Sequence, residues 1–213
     1  MSVDVPSAAL RLGVPLAGAD LWAGQTVGLL GGSFNPAHDG HRTIAERALT
    51  CLGVDWVWWL VSPQNPLKSS QGMASLGARL ASAERQIAGH PRMRASCVET
   101  TLGTQYTAQT LERLIQAHPR IQFVWLMGAD NLVQFHRWQH WRQIAQLAPI
   151  AVFDRAGGKH AAITSHAAKA LRHRRQSPGR HFGKARQRLP RWTFVYGPRH
   201  PLSSTVLRQR GQC

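Results

Sequence analysis

Five short apolar runs limit what this chain can fold into: "QTVGLLGG" (25–32), "VDWVWWLVSP", "RIQFVWLMG", "APIAVFDR" and "WTFVYG". Each is too short for a buried helix, and several carry apolar side chains at adjacent positions. Successive side chains of a strand point to opposite faces, so such strands must be covered on both sides. The segments between them have a different period. Ile44, Ala45, Ala48, Leu49 and Leu52 recur at helical spacing and predict a helix from about His41 to Leu52. Further helices are predicted around 75–89, over "TAQTLERLIQAH" and, in two pieces, over "NLVQFHRWQHWRQIAQL". "RMRASCVE" reads as another strand, and "SSTVLRQR" starts a final helix. Strands alternating with helices specify an α/β chain with a Rossmann-like, doubly wound parallel sheet. Its 213 residues suffice for a single domain with one core. Ligands of such sheets bind beyond the C-terminal strand ends, which directs attention to the loops after Leu30, Val61, Met127 and Tyr196.

Composition narrows the function classes. No run approaches the roughly 18 apolar residues of a membrane span. The first residues carry Asp4 and no basic region ahead of a long apolar core, which argues against a signal peptide. Cys51, Cys97 and Cys213 form no C-x-x-C pair, so a reduced, cytoplasmic protein is expected. Net charge is +16, which suits an anionic partner. That excess is local: no acidic residue follows Asp154, and the basic insert at about 155–191, with Trp192, holds eleven Lys and Arg. Its aromatics, Phe182 and Trp192, are too few for a base-stacking module, so no dedicated nucleic-acid partner is expected. A solvated, partly helical extension is the expectation for the insert. Residues 1–23, rich in Ala, Pro and Gly, read as a weakly ordered arm ahead of a domain at 24–213.

The stretch "GGSFNPAHDGH" (31–41) carries the chemistry. His38 and His41 could share a helical face and bind zinc, but no third ligand lies nearby, so no metal site is assigned. A plain turn with two surface histidines is the other bland reading. A P-loop is excluded, because G-x-x-x-x-G-K-[ST] occurs nowhere. What remains is a phosphate site. Gly31 and Gly32 would let a phosphate approach the backbone, and a helix N-terminus at Gly40 and His41 would favour an anion. Two imidazoles beside it can donate hydrogen bonds to phosphate oxygens, which suits nucleotidyl transfer. Asp130, directly after a strand, is placed either to bind a ribose hydroxyl or to cap the next helix.

This stretch resembles the G-G-[TS]-F-[DN]-P-x-H-x-G-H signature of the nucleotidylyltransferase superfamily. "SSTVLR" (203–208) is similar to that superfamily's second motif, and the resemblance spans roughly residues 24–210. Within it, "SPQNPLK", "QYTAQTL" and "WLMGADNLVQFHRWQHWRQI" resemble the bacterial nicotinate-nucleotide adenylyltransferases. The resemblance implies an enzyme of NAD biosynthesis that joins nicotinate mononucleotide to the AMP part of ATP and releases pyrophosphate. It implies an ATP site at Gly31, Gly32, Ser33, Phe34, His38, His41, Asp130, Ser203, Ser204, Thr205 and Arg208. His38, His41 and Arg208 would be catalytic. The mononucleotide would meet Asn35, Lys68, Tyr106, Thr107 and Trp138, with Trp138 stacked on the pyridine ring and the Tyr106–Thr107 loop at its carboxylate. Mg²⁺ would accompany ATP, with no all-protein metal cage.

Ser33 and Asn35 replace the commoner Thr and Asp of the signature, a conservative departure. The rival readings are another adenylyltransferase of the superfamily, using nicotinamide mononucleotide or phosphopantetheine, and a basic nucleic-acid-binding protein on the same scaffold. Homo-oligomerisation is left open by the sequence.

Overall fold

The computed structural model describes residues 22–63, 72–154, 159–183 and 188–197. Among them, seven strands form one sheet: β1 (Thr26–Gly32), β2 (Trp56–Val61), β3 (Met93–Ser96), β4 (Gln122–Gly128), β5 (Ile150–Phe153), β6 (Arg175–Gln176) and β7 (Trp192–Val195). All pairings are parallel and the order is β3-β2-β1-β4-β5-β7-β6. The chain builds outward from β1 to β3, then returns to place β4 on the other side of β1. That reversal opens a crevice at the C-terminal ends of β1 and β4, the usual ligand position in a doubly wound sheet.

The two-residue period of the strands sorts their side chains into two apolar layers. Leu29, Trp58, Trp125, Val152 and Phe194 face one side. That side is covered by α3 (Val98–Leu102), α4 (Thr107–Ala117), α5 (Ala129–Gln134) and α6 (Trp141–Leu147). Leu30, Trp59, Leu126, Phe153 and Val195 face the other, under α1 (Asp39–Cys51) and α2 (Leu76–Ile87). The apolar runs are thus strands buried on both faces, as their composition requires.

Two expectations change. "RMRASCVE" is not one strand: β3 stops at Ser96, and Val98 and Glu99 begin α3. Cys97, at φ −97° and ψ 33°, turns the chain out of the extended region. Helix α1 starts at Asp39, two residues early, because His38 caps it.

The basic insert is partly helical but is no solvated extension. It contains α7 (Lys159–Ile163) and α8 (His166–Ala170), with Ala162, Ala167 and Ala168 buried, and supplies edge strand β6. Phe182 is buried beside α1, and the Gly183 N–H donates to the Leu52 carbonyl at 3.0 Å. A side chain at Gly183 would meet Thr26 Cγ2 at 2.9 Å and Leu52 O at 3.0 Å, which fixes glycine there. Arg172, His173, Arg174 and Arg175 are exposed, whereas Arg191 is 4% exposed, its guanidinium over the Phe182 ring. Of the arm expected at 1–23, residues 1–21 lie outside the described residues, while Trp22 packs edge-on against Trp56 and Trp58.

Candidate active site

Helix α1 begins at the C-terminal edge of the sheet with a capping box made of two histidines. His38 is the N-cap, and its Nδ1 accepts the Gly40 N–H at 3.1 Å. Three residues on, His41 Nδ1 accepts the His38 N–H at 3.2 Å. Ser or Thr paired with Glu ordinarily fills these places. With both Nδ1 lone pairs committed to backbone donors, the imidazole proton of each ring sits on Nε2. The pair therefore offers two N–H donors of fixed tautomer. His38 is 3% exposed and the ring centroids are 3.8 Å apart.

The connection from β1 to this cap is held tightly. Phe34 takes φ +47°, unusual for a side chain other than glycine. Its ring stacks on Trp59 at 5.1 Å and meets His41 edge-on at 4.8 Å, so packing maintains the strained backbone. Phe34 was expected at the ATP site; the whole residue is 1% exposed and its ring lies in the core. Asn35, expected at the mononucleotide, clasps the loop ahead of α2: its Nδ2 donates to Gly72 O at 3.1 Å and its Oδ1 accepts from Ala74 N–H at 3.2 Å.

The reason for glycine at 31 and 32 also differs from expectation. A Cβ at Gly31 would meet the Trp125 ring at 2.5 Å, and one at Gly32 would meet the Phe34 ring at 3.3 Å. Indole packing from the neighbouring strand requires Gly31, whatever binds above it. Trp125 in turn meets Trp138 edge-on at 6.2 Å, and Phe135 meets it at 5.4 Å. Trp138 is half-buried beside this aromatic cluster, at the end of a short 3₁₀ turn.

Asp130 stands in the first turn of α5, exposed, two residues beyond β4. Gly128 is the N-cap of that helix, so capping is not the role of Asp130. Tyr106 is the N-cap of α4 and Thr107 its first residue, with no side chain capping the helix. The first-turn N–H groups of α4 are therefore left to other acceptors. Lys68, Ser203, Ser204, Thr205 and Arg208 lie outside the described residues.

Two supporting residues escaped the sequence reading. Arg79, 2% exposed, donates to four backbone carbonyls: Ala74 at 3.0 Å, Ser33 at 2.9 Å, Ser62 at 2.6 Å and Pro63 at 2.8 Å. It staples the loops after β1 and β2 to α2. Burial lowers its pKa, with Cys97 acting the other way. Its signal was a charge within the apolar stripe Leu76, Leu80, Ala83, Ile87. Glu99, 6% exposed, sits beside the N-terminus of α4, and Thr110 Oγ1 donates to its Oε1 at 3.3 Å. Burial raises its carboxyl to about 7, against hydrogen bonds from Ser62 and Thr110. Its signal was hidden by the reading of 92–99 as one strand.

Comparison with known proteins shows the family. The cytidylyltransferase-like family model matches residues 29–210. A probable nicotinate-nucleotide adenylyltransferase of Rhizobium meliloti (strain 1021) is 50% identical over 86% of this chain and 97% of that protein. Its counterpart in Rhizobium johnstonii is 46% identical over 87% of this chain and 92% of that protein. Plasmodium falciparum nicotinic acid mononucleotide adenylyltransferase, solved in complex with APC, shares the fold. Its TM-score is 0.63 at 12% identity, over 87% of this chain and 83% of that one. The chain belongs to the nicotinate-nucleotide adenylyltransferase family within the cytidylyltransferase-like proteins.

Proposed function

From that membership we propose that the chain transfers the AMP part of ATP to nicotinate mononucleotide, giving nicotinate adenine dinucleotide and pyrophosphate. The observation that carries the reading furthest is the two-histidine cap at the switch point. An oxygen of the mononucleotide phosphate attacks the α-phosphorus of ATP. A new P–O–P linkage forms as the bond to the β-phosphate oxygen breaks, and pyrophosphate leaves with that electron pair. The attacking group is already an anion, so no protein base is needed.

The task for the protein is then positioning and neutralisation of charge. The Nε2–H groups of His38 and His41, locked by their Nδ1 bonds, donate to the phosphate oxygens on which charge develops. The backbone at Gly31, Gly32 and Ser33 lines the approach, and Asp130 takes a ribose hydroxyl. Ser203, Ser204, Thr205 and Arg208 hold the β- and γ-phosphates, with Arg208 catalytic, and Lys68 adds charge at the mononucleotide phosphate. Mg²⁺ accompanying ATP would offset phosphate charge. Trp138 offers a flat face to the pyridine ring. The uncapped N-terminus of α4, at Tyr106 and Thr107, suits a carboxylate better than a neutral amide.

The test is to incubate the protein with ATP, Mg²⁺ and either nicotinate or nicotinamide mononucleotide and to separate the dinucleotide products. The reading predicts that the acid is used with the higher kcat/KM. A preference for the amide would overturn the assignment of Tyr106, Thr107 and Trp138. No dinucleotide from either would overturn the reaction itself.

A further inference from the structure

Thr110, fully buried in the first turns of α4, is offered more hydrogen bonds than it has protons to give. Its Oγ1 lies 2.9 Å from Thr104 Oγ1, 3.3 Å from Glu99 Oε1 and 3.3 Å from the Tyr106 carbonyl. A hydroxyl has one proton and two lone pairs. A carboxylate at Glu99 can only accept, so it takes the Thr110 hydroxyl proton, and the Tyr106 carbonyl keeps the Thr110 backbone N–H at 3.0 Å but loses its second donor. A carboxylic acid at Glu99 can donate to Thr110 instead. Thr104 then donates to the second lone pair, and the Thr110 proton goes to Tyr106. Only the acid form satisfies all three contacts at once.

The Tyr106 carbonyl shares a rigid peptide plane with the Thr107 N–H, which points the opposite way. A second donor to the carbonyl, beside the Thr110 backbone N–H, therefore restrains the N–H as well, at the N-terminus of α4 where the carboxylate of the mononucleotide is placed above. We propose that Glu99, in its carboxylic acid form, is a positioning residue for the acid substrate, acting through Thr110 on the Tyr106–Thr107 peptide. This inference rests on the function proposed above.

The surroundings of Glu99 agree. Its Oε2 is buried without a hydrogen-bond partner among the described residues, a costly place for a full charge. Burial raises the carboxyl to about 7 even though Ser62, at the end of β2, and Thr110 both favour the ionised form. On its own segment the neighbouring titratable group is Cys97, which burial pushes up to about 11, so it is an uncharged thiol near neutral pH. Arg79 and Glu84 of α2 act on Cys97, and the Tyr106 phenol is the titratable group of the loop itself.

The experiment is the pH dependence of KM for nicotinate mononucleotide between pH 6 and 8 in wild type, Glu99→Gln, Thr110→Val and Thr110→Ser. In wild type this KM should rise with pH by about threefold to tenfold, the net effect of one hydrogen bond, while KM for ATP moves less. Glu99→Gln, whose amide donates at every pH, should hold KM near the wild-type pH 6 value throughout. Thr110→Val should hold it near the wild-type pH 8 value, and Thr110→Ser should restore the slope. The substrate phosphate titrates alike in every variant, so the difference between profiles reports Glu99. A wild-type profile in Glu99→Gln, or equal movement of both KM values, overturns the proposal and leaves the reaction standing. If Glu99→Gln does not fold, the Thr110 pair decides by the same criteria. Absence of turnover by wild type with the acid substrate overturns the reaction and this proposal together.

Discussion

Two buried histidines at opposite edges of the sheet are held in opposite ways. At the C-terminal edge, His38 and His41 each place Nδ1 on a backbone N–H, and Arg79 meets four carbonyls. At the N-terminal edge, His118 follows α4 and is 1% exposed, yet neither ring nitrogen has a hydrogen-bond partner among the described residues. His38, at 3% exposed, is buried almost as deeply. Burial therefore does not distinguish the two histidines; commitment of their nitrogens does. Partners fix a tautomer and an orientation, and only a fixed donor can be aimed at a developing charge. An unpartnered ring contributes packing and carries a desolvation cost.

The most severe way to break the ordered edge is to remove Arg79. Arg79→Met leaves four loop carbonyls without their donor and should lower stability by about 3 kcal/mol or more, read by urea denaturation. His38→Asn sharpens the comparison, because Asn caps helices well but lacks an imidazole N–H. It should lower kcat/KM by about 100-fold while melting within a few degrees of wild type. Equal loss of stability and activity would mean that His38 acts only as a cap. Gly31→Ala pushes into the Trp125 ring and, through it, toward Trp138. About 1–3 kcal/mol of destabilisation is expected, with a raised KM for the mononucleotide and less change in that for ATP.

The smallest effect concerns the other edge. Burial lowers the His118 pKa, so the unfolded chain binds a proton that the folded chain refuses. Stability from this group is lost as pH falls below about 6.5 toward the folded value. His118→Leu should flatten that acid-side slope and change stability by about 1 kcal/mol at pH 8, with catalysis retained. Glu99 has the opposite sign. Its raised pKa means that its stabilising contribution is present below the unfolded value of 4.5 and lost as pH rises through about 7. Glu99→Gln should accordingly gain stability relative to wild type at pH 8 and little at pH 5, measured by thermal unfolding.

Much of the fold was legible because both-face burial leaves a plain mark: runs such as "VWWLV" have few places to go except a covered parallel strand. His38 and His41 were legible because their spacing coincides with a helix start. Arg79 and Glu99 were not, since each acts through a chain reversal that brings distant loops together. Glu99 was further hidden by a turn at Cys97 that apolar periodicity does not record. The insert misled through its charge: eleven basic residues suggested solvent, whereas Ala162, Ala167, Ala168 and Phe182 anchor it. Gly31 was expected for a reason of ligand access, and the Trp125 ring supplies another that lies on a strand far away in sequence.

The most direct test compares pyrophosphate release by His41→Ala and His118→Leu with that of wild type, using ATP, Mg²⁺ and nicotinate mononucleotide at pH 8. A fall in kcat/KM of about 100-fold to 1,000-fold is expected for His41→Ala and of less than about threefold for His118→Leu, with both variants folded. Similar rates for the two variants would contradict this expectation, because the partnered histidine would then be no more than a cap.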